Sequence, residues 1–175
     1  MKYLPLSVKA IVATRAEVSD QLKLPGDAVL IQRDQPRWLL LKCPCGCSDE
    51  IPVNLDRRAG KAWRFYRDAR LRVSVFPSIW RDTGCGSHFI VWRDQILLFG
   101  REDDELTSSP HHPDLRALAR RLLERWPLNG WASYVEIADE LDEIPWDVLD
   151  ACRDLARANS FDEGRGPHQG LFRRR

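Results

Sequence analysis

The sequence has no apolar run approaching the ~20 residues that a membrane-spanning helix needs. Its first residues, Met1-Lys2-Tyr3-Leu4-Pro5, lack the apolar core and small-residue cleavage site of a secretory signal. The expectation is a cytoplasmic protein that makes no use of a membrane. Net charge is only +1, so the chain as a whole carries no field that would draw it to phosphate or to acidic surfaces. Histidine is scarce: there are four, and only His88 precedes position 111. Internal repeats and long low-complexity segments are absent.

What is present suits a globular protein. At 175 residues the chain makes one medium domain or two small ones, and 43% hydrophobic with 30% charged residues is an ordinary soluble balance. Seven tryptophans point to aromatic cores or ligand surfaces. Charge is uneven locally, with a basic stretch from Arg57 to Arg72 and a close on Arg173-Arg174-Arg175.

The patterning predicts an α+β protein in two parts. Residues 1–100 read as a small antiparallel β domain. Leu39-Leu40-Leu41 and Leu71 to Phe76 are strand-like, the latter alternating apolar and polar. Phe89 to Trp92 and Gln95 to Phe99 read as a hairpin across the polar turn Arg93-Asp94. Val8 to Val12 and Ala28 to Ile31 are expected to add strands to the same sheet. Residues 101–113 read as a charged, turn-rich linker containing His111 and His112. Residues 114–175 read as helical. Asp114 is a candidate cap for a helix with Leu115, Leu118, Leu122 and Leu123 on one face. Ser133 and Glu136 form a capping-box pattern, and Pro145 opens a third helix. Cys152 belongs to the apolar face of that helix. A glycine-rich segment from Phe161 to Arg173 suits a hairpin. Three helices followed by a hairpin is the order of a winged helix. Its third helix carries Asp147, Asp150 and Asp154 against Arg153 and Arg157, which favours protein contact and argues against nucleic acid.

The strongest chemical signal is Cys43-Pro44-Cys45-Gly46-Cys47, followed by Cys85. Cytosolic thiols are kept reduced, so cysteines this dense read as metal ligands rather than disulfides. Zinc takes four thiolate or imidazole ligands in a tetrahedron, and a structural site fills all four positions with protein. Cys43, Cys45, Cys47 and Cys85 make one such set. Three of these cysteines with His88 make another, and so does a set that leaves one of the Cys43–Cys47 thiols free.

Pro77-Ser78-Ile79 and Cys85-Gly86-Ser87-His88-Phe89 follow the cysteine motif in order, with Trp63 between. In these elements, over residues 38–100, the sequence resembles a bacterial zinc-cluster domain family found in bacterial ubiquitination-like (Bub) operons. Ser48 departs from the glycine usual there. The resemblance implies a serine protease with a serine–histidine dyad, related in activity to deubiquitinases. It would process or deconjugate a ubiquitin-like protein, in pathways associated with antiphage defence, with E1- and E2-like enzymes as further partners. On that implication His88 is the base, which leaves the four cysteines to hold a structural Zn2+. Ser78 is preferred as nucleophile because it ends one expected strand where His88 begins the next. Ser87 stays an alternative, although neighbours in a strand point to opposite faces. Backbone amides of Gly84, Cys85 or Gly86 are candidate oxyanion donors, and Asp82 a candidate orienting residue. Two other readings remain open. One is a non-enzymatic adaptor of zinc-stabilised β domain and winged helix, in which His88 is a metal ligand. The other, disfavoured by a closed metal site, is a metal-dependent hydrolase.

Overall fold

A computed structural model describes residues 2–18, 20–99 and 115–175. The chain forms two compact units, Met1–Glu105 and Leu106–Arg175. The expected linker 101–113, with His111 and His112, and the Asp114 cap lie outside the described residues.

The first unit is built of β1 (Lys2–Pro5), β2 (Ser7–Val12), β3 (Asp27–Gln32), β4 (Pro36–Lys42), β5 (Glu50–Asn54), β6 (Arg64–Arg67), β7 (Val73–Trp80), β8 (His88–Trp92) and β9 (Gln95–Leu98). They make two sheets, β2-β3-β4-β5 and β1-β9-β8-β7-β6. The strands around Val8 and Ala28 therefore do not join the sheet of the later hairpin, as the sequence had suggested. Nor is the unit wholly antiparallel, because β2 runs parallel to β3.

Burial explains the first sheet. In the continuous apolar run of β3, Ala28 and Leu30 face the main core while Val29 and Ile31 face a smaller cluster closed by Val18 and Leu22. A strand covered on both faces loses the alternation of a half-exposed one. β4 behaves likewise, with Leu39 and Leu41 on the main-core side and Leu40 on the other. The second sheet adds Val73, Val75, Ile79, Phe89, Val91 and Ile96 to the same main core. The β8–β9 turn is the one expected: Arg93 and Asp94 both adopt positive φ, 51° and 60°, the geometry of a two-residue hairpin turn matched to strand twist.

The second unit contains α1 (Leu115–Arg125), β10 (Ala132–Ser133), α2 (Tyr134–Leu141), α3 (Pro145–Arg157), β11 (Phe161–Glu163) and β12 (Leu171–Arg174), with its sheet in the order β10-β12-β11. Ser133 caps α2, its hydroxyl accepting the Val135 N–H at 3.2 Å. Leu118, Leu122, Val148 and Leu155 pack with Phe161, Phe172 and Trp126 in one core that includes Cys152. Burial there pushes the Cys152 thiol upward, as suits an inert packing residue. No helix among the described residues is long and apolar enough to cross a membrane.

Candidate active site beside a four-cysteine cluster

The cysteine cluster joins the two sheets. Cys43 directly follows β4, and Cys85 lies in the loop between β7 and β8. Between Cys43 and Cys47 the chain doubles back, with the Gly46 N–H donating to the Cys43 carbonyl and Gly46 at φ +91°. That left-handed conformation costs glycine little. The Cys43 N–H donates to the Asp49 carbonyl at 2.8 Å and closes the loop. An Arg81–Asp49 ion pair at 3.2 Å holds the two cysteine loops against each other.

All four sulfurs lie within 4.8 Å of one another, with Cys43 Sγ 3.3 Å from Cys45 Sγ and 3.7 Å from Cys85 Sγ. A tetrahedral thiolate site with bonds of ~2.3 Å needs sulfurs about 3.8 Å apart. The four cysteines thus form a cluster that can bind a metal such as zinc. Cys43 is fully buried at the floor, and Cys45 and Cys47 are exposed at the mouth.

Ser87 belongs to this cluster. It is 7% exposed, and its hydroxyl lies 3.0 Å from Cys85 Sγ and 3.7 Å from Cys43 Sγ. Its hydrogen bond brings the Cys85 thiol down to about 6, whereas burial pushes Cys43 up to about 12. In the sequence Ser87 presents itself only as a candidate nucleophile. The available signal was its place two residues beyond Cys85, which keeps its hydroxyl within reach of that sulfur.

Residues 14–99 match the family of the bacterial ubiquitination-like system serine protease, BubE. The first unit of this chain belongs to that family. The family's description is that of a serine protease of a bacterial ubiquitination-like system, and the matched stretch holds all four cysteines. No curated protein and no solved structure matches the chain. The matched stretch also contains Ser78 and His88, and the second unit lies outside it.

His88 opens β8, three residues after Cys85 and on the opposite side of the strand from Ser87. Its ring packs on Phe99 at 4.7 Å between centroids, with Trp80 at 6.2 Å on a neighbouring strand. The ladder departs from the simple cross-strand pairing expected of Ser78 and His88. Trp80 stands opposite His88 and Ile79 opposite Phe89, while Val75 pairs with Val91. Residues 76–78 therefore bulge opposite Ile90 alone. Ser78 lies two residues along β7 from the partner of His88, a diagonal neighbour of it. Ile79 points into the core, and Trp80, the next residue of the regular ladder, turns to the other face, the His88 side.

Ser78 is braced from behind. Its carbonyl accepts the Trp63 indole N–H at 3.3 Å. Trp63 is set by its own N–H to the Asn54 carbonyl, 2.8 Å, and the Asn54 side chain donates to the Lys61 carbonyl at 3.0 Å. Asp56 anchors this corner. It is buried and receives the Arg58 guanidinium at 2.9 Å through both oxygens, plus the Arg58 N–H. Those bonds hold its carboxyl down to about 2. Asp82 is exposed in the β7–β8 loop with Gly84 and Gly86.

Proposed function

We propose that the first unit is a serine peptidase in which Ser78 is the nucleophile and His88 the general base. Its substrate would be the ubiquitin-like protein of its own system, matured at its C-terminal tail or released from a conjugate. The observation that carries this reading is the division of labour across β8. Ser87 is engaged with the cysteine sulfurs, while Ser78 lies on β7 two residues from the ladder partner of His88. Within a family of serine proteases, that supports assigning Ser78 as the nucleophile served by His88. His88 takes the Ser78 proton as the oxygen attacks the scissile carbonyl, then returns it to the departing amine. Water repeats the sequence on the acyl-enzyme. Amides of the Gly84–Gly86 loop are the candidate donors to the oxyanion.

Cys43, Cys45, Cys47 and Cys85 would hold zinc as a structural ion, because four thiolates fill its tetrahedron. Bound there, zinc supplies fold stability and takes no part in acyl transfer. Its contribution to activity is indirect: Cys85 sits three residues before His88, so the clip sets where β8 begins. The unit would work in the cytoplasm, where these thiols stay reduced.

For the second unit we propose a winged helix that contacts protein, such as an E1- or E2-like enzyme. The order of α1, β10, α2, α3 and the β11–β12 hairpin supports it. The wing arginines are already committed: Arg173 and Arg175 pair with Asp162, and Arg174 donates to the Leu123 carbonyl. On α3, Asp154 pairs with Arg157. Little cationic charge remains there for a phosphate backbone.

The test is cleavage of a tailed ubiquitin-like substrate by wild type and by Ser78→Ala, His88→Ala and Ser87→Ala. The first two substitutions should abolish it and the third should spare most of it. Abolition by Ser87→Ala with activity kept by Ser78→Ala would reverse the assignment.

A further inference from the structure

Trp80 is a large apolar side chain left 70% exposed on the strand that carries Ser78. It is the ladder partner of His88 and lies two residues along β7 from Ser78. An exposed indole beside a candidate catalytic histidine offers a favourable surface for an apolar partner.

The backbone at Trp80 is open as well. The Arg81 N–H donates to the Ser87 carbonyl at 2.8 Å, which makes Arg81–Ser87 a hydrogen-bonded pair. Bonded and non-bonded pairs alternate along an antiparallel ladder, so Trp80–His88 is a non-bonded pair. The Trp80 N–H and C=O therefore point away from β8. The Ser78 carbonyl points the same way, which is why the Trp63 indole can reach it. On that side β6 stops pairing at Arg64–Phe76, and Trp63 turns off to Asn54. Among the described residues no backbone bond reaches Trp80 from there.

We infer that Trp80 is a substrate-positioning residue, whose indole and outward-facing peptide groups dock an extended peptide segment of the substrate beside Ser78. The inference rests on the peptidase reading above. Only an extended chain offers N–H and C=O groups spaced to bond a strand edge. Two residues of strand span about 6.6 Å, so the segment bound at Trp80 lies two positions from the bond presented to Ser78. The ligand is thus a flexible tail, with a small or apolar side chain against the indole. A folded surface without a tail cannot enter this register.

Binding is read in the Ser78→Ala background, where turnover does not intervene. The probe is a fluorescein-labelled peptide of the C-terminal tail of the ubiquitin-like protein of the same system, followed by anisotropy. Adding Trp80→Ala should weaken it about tenfold or more, and Trp80→Phe should stay within about threefold. With Ser78 intact, Trp80→Ala should raise KM for the tailed protein and change kcat little. Because Trp80 is exposed, melting of the variant should match wild type. Equal peptide affinity with and without Trp80, or no peptide binding by Ser78→Ala itself, overturns the inference. Cleavage that survives Ser78→Ala sinks the dyad instead, and the affinity ratio is read independently of it.

Discussion

Cys43 and Cys85 stand 42 positions apart and follow strands of different sheets, yet their sulfurs lie 3.7 Å apart. The contact makes the cysteine cluster a clip between the two halves of one core. It also ties the start of β8, and hence His88, to the end of β4.

Breaking the clip should cost the fold before it costs chemistry. Cys43→Ser or Cys85→Ser should bring metal content, measured by plasma mass spectrometry, from about one ion per chain to near zero. Melting should fall by the equivalent of on the order of 3 kcal/mol or more, since a preformed site couples metal binding to folding. Retention of both metal and melting temperature would contradict a structural site.

Ser87→Ala separates support of the cluster from catalysis. Loss of a hydroxyl that bonds a ligand sulfur should weaken metal affinity about 10- to 100-fold in competition with a chromophoric chelator. Cleavage at saturating metal should stay close to wild type.

Acid stability should depend on Asp56. Its carboxyl titrates at about 2 in the folded chain against an ordinary 3.8, so the folded state binds the proton more weakly than the unfolded one. The stabilisation is therefore complete above the ordinary value and is lost as pH falls toward about 2. Asp56→Asn should melt below wild type by a constant margin from neutral pH to about 5, and that margin should close between about 4 and 2. The same variant should slow cleavage, because Asp56 holds the corner from which Trp63 braces Ser78.

Much of this was legible in the residues. The runs at Ala28–Ile31 and Leu39–Leu41 are apolar because both faces of those strands are covered, and no other element explains runs so short. The cysteine motif announced itself by density alone. β5 was not legible: Pro52 interrupts it and faces solvent on an edge strand, where proline is tolerated. β6 is short, and its aromatic pair Phe65-Tyr66 is flanked by arginines on another edge strand. The register of Ser78 and His88 was hidden by the bulge at residues 76–78, which no periodicity encodes. The role of Ser87 was hidden by its neighbour, since a serine before a candidate histidine suggests chemistry before it suggests a hydrogen bond to a thiolate.

The central claim is that the cysteines complete the metal site and release His88 for catalysis. The most direct test is one preparation of His88→Ala, assayed together for zinc content and for cleavage of the tailed ubiquitin-like substrate. The account predicts wild-type zinc, a melting temperature within a few degrees of wild type, and no detectable cleavage. Loss of zinc with a collapse in melting temperature would contradict it and make His88 a ligand.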